Sequence, residues 1–142
     1  MKVEIVTDIT VEPITLEEIK EALKITGMGH DTELSRLITD CRAFIEKAID
    51  TSVLEREIKV TSDIALEEWE LPLGPVSNLT ETTDSDNNYV YEYTGGNSIC
   101  PATIQRLITD YIKYCYDIDD EARELPIHIQ KQIQLLTRQP GL

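Results

Sequence analysis

The side chains best equipped for chemistry in this chain are acids. Asp84, Asp86 and Asn88 stand at the first three ligand positions of a calcium-loop pattern, in which side-chain oxygens surround a hard cation. The pattern then stops, because Tyr89 occupies the place of the sharp-turn glycine and Gly95 that of the closing bidentate glutamate. Asp117, Asp119 and Glu121 begin the same pattern and fail in the same way, with Ala122 and His128 at those two places. Both runs read as a turn and a solvated acidic face, and no metal site is expected. His30 and His128 are the only imidazoles and form neither a ligand pair nor a zinc-protease motif. No serine or cysteine lies in a nucleophile-elbow or Cys/His context. Gly95-Gly96 lacks the Lys-Ser/Thr that completes a phosphate loop. The residues therefore point to no enzyme activity and to no cofactor.

The three cysteines, Cys41, Cys100 and Cys115, are widely spaced. They read as small buried residues of a cytosolic protein, outside any disulfide framework or zinc site. The opening Met1-Lys2-Val3-Glu4 leads into a segment broken by Asp8 and Glu12, so no secretion signal is expected. No stretch approaches the length of a membrane span.

Charge is the most unusual bulk property. The 142 residues carry a formal net charge of -14. Between Val60 and Gln105 there is no lysine or arginine, while Asp63, Glu67, Glu68, Glu70, Glu81, Asp84, Asp86 and Glu92 all fall there. Such a surface repels phosphate and excludes the usual basic footprint of a nucleic-acid binder.

The elements that would position these acids follow from periodicity. Residues 1–13 form an extended arm or edge strand that Pro13 terminates. Thr15-Leu16-Glu17-Glu18 is a capping box that opens a short helix on Leu16, Ile19 and Leu23, closed by Gly27 and Gly29. A second helix runs from Asp31 to Ile49 on the stripe Leu34, Leu37, Ile38, Cys41, Ile45 and Ala48, so residues 14–50 hold two helices. From 53 to 94 the period changes to two. Ile58 and Val60 belong to a first strand, Leu66–Leu71 to a second with Trp69 in the core, and Val76–Thr83 with Tyr89–Tyr93 to a hairpin about the turn Asp84–Asn88. Residues 101–139 return to helical spacing. Pro101 opens a long helix on Ile104, Leu107, Ile108, Tyr111, Ile112 and Cys115, and Pro126 a final one ended by Pro140-Gly141. The fold class is α+β and mainly helical: two N-terminal helices, a small antiparallel sheet or hairpin region, a long helix and a C-terminal helix. A single domain over 1–142 is expected.

Tyr89, Tyr91 and Tyr93 share one face of the second hairpin strand. Cross-strand packing would account for them; a subunit interface, where tyrosine offers large area at low entropy cost, is the functional alternative.

The order of Leu71-Pro72-Leu73-Gly74-Pro75-Val76, Tyr89-Val90-Tyr91-Glu92-Tyr93-Thr94-Gly95-Gly96-Asn97 and Pro101-Ala102-Thr103-Ile104-Gln105 resembles the head-tail connector proteins of tailed bacteriophages. The resemblance reaches from about Glu12, through Glu12-Pro13-Ile14-Thr15-Leu16, to the Arg138-Gln139-Pro140-Gly141-Leu142 ending. It implies a structural adaptor subunit, phage or prophage encoded. Copies would form a homo-oligomeric ring that docks on the portal protein and links the DNA-filled head to a downstream head-completion or tail protein. The expected location is the virion's head-tail junction, after assembly from the host cytoplasm. DNA would pass nearby without specific binding, and no membrane is involved. In such a ring Glu67, Glu68, Asp84 and Asp86 could line an acidic channel or loop face. The alternative is an acidic protein-interaction module such as a DNA-mimic inhibitor, which needs carboxylates spaced like phosphates.

Overall fold

A computed structural model describes residues 1–117 and 124–137. Most of the acidic run from Asp117 to Glu124, and the Pro140-Gly141 stop, lie outside the described residues. The chain divides into two compact units. Among the described residues the first comprises 1–10 and 50–99, and the second 11–49 and 100–137. Four helices and a four-stranded antiparallel sheet among those residues make the protein α+β. None of the described helices is long and apolar enough to cross a membrane.

The first unit is the sheet: β1 Lys2–Thr7, β2 Arg56–Ser62, β3 Val76–Thr83 and β4 Tyr89–Gly95, in the order β1-β2-β4-β3 with every neighbouring pair antiparallel. Alternation along β2 and β4 sends Ile58, Val60, Tyr91 and Tyr93 to one face, where they form a cluster with Leu71. Register makes this possible, since Ile58 lies opposite Tyr93 and Val60 opposite Tyr91. The extended start of the chain is an edge strand, paired with β2 from Lys2 to Thr7. Beyond it, Asp8 accepts from the buried Arg56 guanidinium at 2.7 Å, and Arg56 also donates to Ser52 Oγ at 2.6 Å. At the end of β4 a Cβ on Gly95 would collide with the Leu73 carbonyl oxygen and lie 2.7 Å from Ile58 Cδ1. Only glycine lets these backbones approach so closely.

One expected strand is absent. Residues 66–71 form a loop around a 3-10 turn at Glu68–Glu70, and Trp69 is 47% exposed rather than in the core. Alternation explains why. As a strand this segment would place Glu67 with Trp69 and Leu71 on one face, and Glu68 and Glu70 with Leu66 on the other, so neither face could be buried without stranding a carboxylate. The loop instead buries Leu71 and releases the acids to water.

The second unit contains α1 Leu16–Leu23, α2 Asp31–Ile49, α3 Ala102–Asp117 and α4 Ile127–Leu136. Both bonds of the capping box form: the Glu18 amide donates to Thr15 Oγ1 at 3.1 Å and the Thr15 amide to Glu18 Oε1 at 3.2 Å. The expected stop at Gly27 and Gly29 is displaced. Lys24 takes the left-handed conformation at φ 58, and the Ile25 amide donates back to Lys20 O at 2.8 Å. This satisfies end carbonyls of the kind a C-terminal cap normally serves with glycine. Pro101 sits just before α3 rather than within it, its carbonyl accepting from Ile104 and Gln105. A one-residue shift of this kind is common at helix ends.

Helices α2 and α3 pack together, each also meeting α1 and α4. Ile19, Leu34, Ile38, Ile45, Leu107, Ile108, Ile112 and Ile129 are buried. Arg42 fixes the segment leading into α1: its guanidinium donates to both Glu12 oxygens at 2.9 and 2.8 Å and to Glu46 Oε1 at 2.9 Å. The bond to Glu12, ahead of the cost of burial, holds Arg42 above its ordinary pKa. Gln105 adds a bond to Pro13 O at 3.1 Å.

Replacing Ile58 by Ala should lower the unfolding free energy by about 2–5 kcal/mol through a core cavity. Trp69→Ala should change it by about 0.5 kcal/mol or less, as at other surface positions. Urea unfolding of the two variants measures the contrast.

Candidate assembly surface

The sheet unit holds every residue singled out from the sequence, and the structure separates them into three groups. Tyr91 and Tyr93 are 1% and 2% exposed. Their hydroxyls are also engaged, Tyr91 accepting from the Leu66 amide at 2.7 Å and Tyr93 donating to Pro72 O at 2.6 Å. As the chain stands they offer no area to a neighbouring subunit, so the expected interface loses two of its three members to intrachain packing. Tyr89, at the start of β4, is only part-buried against the same cluster.

Glu67 and Glu68 are exposed at the 3-10 turn, beside Trp69. The sequence reading missed Trp69 as a surface residue. Its signal was the acids around it, Glu67, Glu68 and Glu70, which no core strand could carry inward.

Asp84 and Asp86 lie in the hairpin turn, and Asp84 organises it. Asp84 Oδ1 accepts from the amides of Asp86 and Asn88, both at 2.9 Å, while the Asp84 amide donates to Asn88 O at 3.0 Å. Asn87 takes φ 64, a left-handed conformation that asparagine tolerates well. The Asn88 amide is the main reason the Asp84 carboxyl is held below its ordinary pKa, with the Asp86 amide and Asn88 side chain adding to it against desolvation. These oxygens serve the turn itself. Glu67 and Glu68 thus belong to the loop between β2 and β3, and Asp84 and Asp86 to the turn between β3 and β4.

The surface that sequence reasoning did not find is the pair of outer strands. β1 and β3 end the sheet on opposite sides, and both are exposed along almost their whole length. Apolar residues stand on both: Val3 and Ile5 are each 42% exposed on β1, and Leu79 is 39% exposed on β3. Each strand carries an irregularity, between Ile5 and Thr7 on β1 and between Ser77 and Thr80 on β3, where Asn78 has φ 54. The sequence marks residues 1–13 as an extended arm or edge strand, but strand order is a tertiary property, and periodicity alone could not mark β3 as the second edge.

In the helical unit two thiols, Cys41 and Cys100, are buried. Burial pushes Cys41 well above the ordinary thiol range, and burial with the charge of Glu46 pushes Cys100 up to about 11. Thiols so placed stay protonated near neutrality, whereas the thiolate is the nucleophile. Phe44 stacks on Tyr111 with ring centroids 4.6 Å apart. Among the described residues no group of acids, histidines and cysteines is gathered as for a metal ion.

These features define an α+β protein with two exposed outer strands and an acidic surface. Residues 13–71 match the family model of the phage gp6-like head-tail connector proteins, the family that the sequence motifs resemble. Three solved chains share the fold over the whole length, each alignment covering 100% of this chain and 98% of the other. The chain in the virion of a native gene transfer agent particle aligns at a TM-score of 0.75 with 15% identity. One from the neck of the empty particle, computed with C6 symmetry, gives the same values, and one from the native neck, computed with C12 symmetry, gives 0.72 and 14%. No curated protein matches the sequence.

Because the Asp84 carboxyl is stabilised in its charged form, its folded pKa lies below that of the unfolded chain. The hairpin's stability from this group is fully present above the ordinary carboxylate range and is lost as pH falls through the lowered value. An NMR titration should show the Asp84 carboxyl protonating below the ordinary aspartate value, and Asp84→Asn should remove that step.

Proposed function

We propose that this chain is a structural adaptor of a phage head-tail connector. Several copies close a ring that docks on the portal and receives a further head-completion or tail component. The observation that carries this reading is the whole-length likeness to chains of gene transfer agent necks, joined to the connector-family match over 13–71. Rings need heterologous contacts that close on themselves, and the sixfold and twelvefold symmetries with which those necks were computed are of that kind. All of 1–142 works as one connector subunit, assembled from the host cytoplasm into the virion, with no chemistry of its own. Electron microscopy of the purified chain mixed with its portal should show a ring of added density at one portal rim. Portal particles unchanged by an excess of the chain would sink the reading.

The acids have a physical role in such a ring. Glu67, Glu68, Asp84 and Asp86 are placed on its DNA-facing wall, where negative charge repels phosphate and lets the duplex slide without adhering. Changing Glu67 and Glu68 to Gln and Asp86 to Asn should slow DNA ejection from assembled particles while leaving ring formation intact. Ejection at the unaltered rate would remove these residues from the channel.

A further inference from the structure

The sheet's two open edges point to the contact between copies. We propose that subunits join edge to edge, β1 of one copy pairing with β3 of the next, so that a single antiparallel sheet continues across the subunit boundary. This rests on the ring reading and names the surface that builds it.

Topology makes the two edges complementary. In an all-antiparallel sheet of four strands, ordered β1-β2-β4-β3, the first and last strands run in opposite directions. A neighbour generated by rotation about an axis along the strands therefore presents its β1 antiparallel to β3, as the hydrogen-bond ladder requires. Edge strands carry unpaired amides and carbonyls that template this kind of addition. Joining unlike edges gives a head-to-tail contact that can close.

Register and side chains agree with that join. Within one copy Lys2 lies opposite Thr61, Thr61 opposite Val90 and Val90 opposite Thr82, which makes one level row. Two residues on, Glu4, Lys59, Glu92 and Thr80 make another. Carrying the rows across the boundary sets Lys2 beside Thr82 of the neighbouring copy and Glu4 beside Thr80. Ile5, opposite Ile58 and level with Tyr93, then meets the neighbour's irregularity at Asn78–Leu79. That brings together Ile5 and Leu79, apolar side chains 42% and 39% exposed.

Charge agrees as well. Lys2 is the only cation of β1, and its described ion pair is an exposed one with Glu4 at 2.8 Å, a kind that contributes little. In the carried-over register Lys2 shares a face with Thr82 and hence with Asp84, two residues further along. A diagonal neighbour of this kind is about 7–8 Å away, within reach of a lysine. The cationic start of β1 thus meets the acidic turn of the next hairpin, where Lys59 of the same copy is the cation that acts on Asp84. In this register the regular parts of the two strands overlap as Lys2–Glu4 against Thr80–Thr82, and the irregularities on both strands bound the pairing beyond.

The test uses rings assembled on the portal. In the variant carrying Glu4→Cys and Thr80→Cys, mild oxidation should yield a ladder of covalent oligomers under non-reducing electrophoresis, and each single variant should yield none. Hydrogen exchange on the unmodified chain provides a second readout, with amides of Lys2–Glu4 and Thr80–Thr82 slowing at least tenfold on assembly. Rings that form by electron microscopy without ladder and without protection would overturn edge pairing and leave the connector reading standing. Failure of the unmodified chain to form rings would overturn both.

Discussion

Closure of one sheet face by its own loop is the constraint on which the sheet unit depends. The chain between β2 and β3 folds back over Ile58, Val60, Tyr91 and Tyr93 and delivers Leu71 into their midst. Two tyrosine hydroxyls stitch it there, one accepting from the Leu66 amide and the other donating to Pro72 O. Each bond satisfies a backbone group that the loop would otherwise bury unpaired, and each satisfies the polar tip of a ring that must be buried for its area. The same closure consumes the tyrosines as core and lifts Glu67, Glu68 and Trp69 to the surface. The outer strands and the acidic turns are left exposed.

A comparable knot fixes the helical unit. Glu46 is almost wholly buried on α2, and such a carboxylate is tolerable only when paired and hydrogen-bonded. Arg42, one helical turn earlier, supplies the pairing and spends the rest of its guanidinium on Glu12. The chain entering α1 is therefore tied to α2 by a two-pronged bond, a geometry that arginine's planar fork makes and lysine's point charge does not.

Much of this was legible from spacing. The bounds of α2 and of the first hairpin strand follow from period, and the second is found but runs two residues past the expected Tyr93, to Gly95, because a 3.6-residue stripe and a two-residue alternation are local properties while strand ends depend on pairing. The Thr15–Glu18 capping box is likewise local, and both of its bonds form. The segment from Leu66 to Leu71 was misread because alternation was weighed for Trp69 without asking where Glu67, Glu68 and Glu70 would go. Lys24 in the left-handed conformation was missed because glycines further on gave a stronger local stop signal than the packing that ends α1 a turn earlier.

Composition and order alone determined that this chain is an acidic α+β protein lacking the motifs of a catalyst, with a hairpin about Asp84–Asn88 and motifs resembling head-tail connectors. Those are properties of neighbours in sequence, where side-chain type and periodicity suffice. Tertiary structure decided which tyrosines are core, where Trp69 sits, and which two strands are left as edges. Each of those turns on contacts between residues far apart in the chain, and strand order depends on loop closures that no local period records.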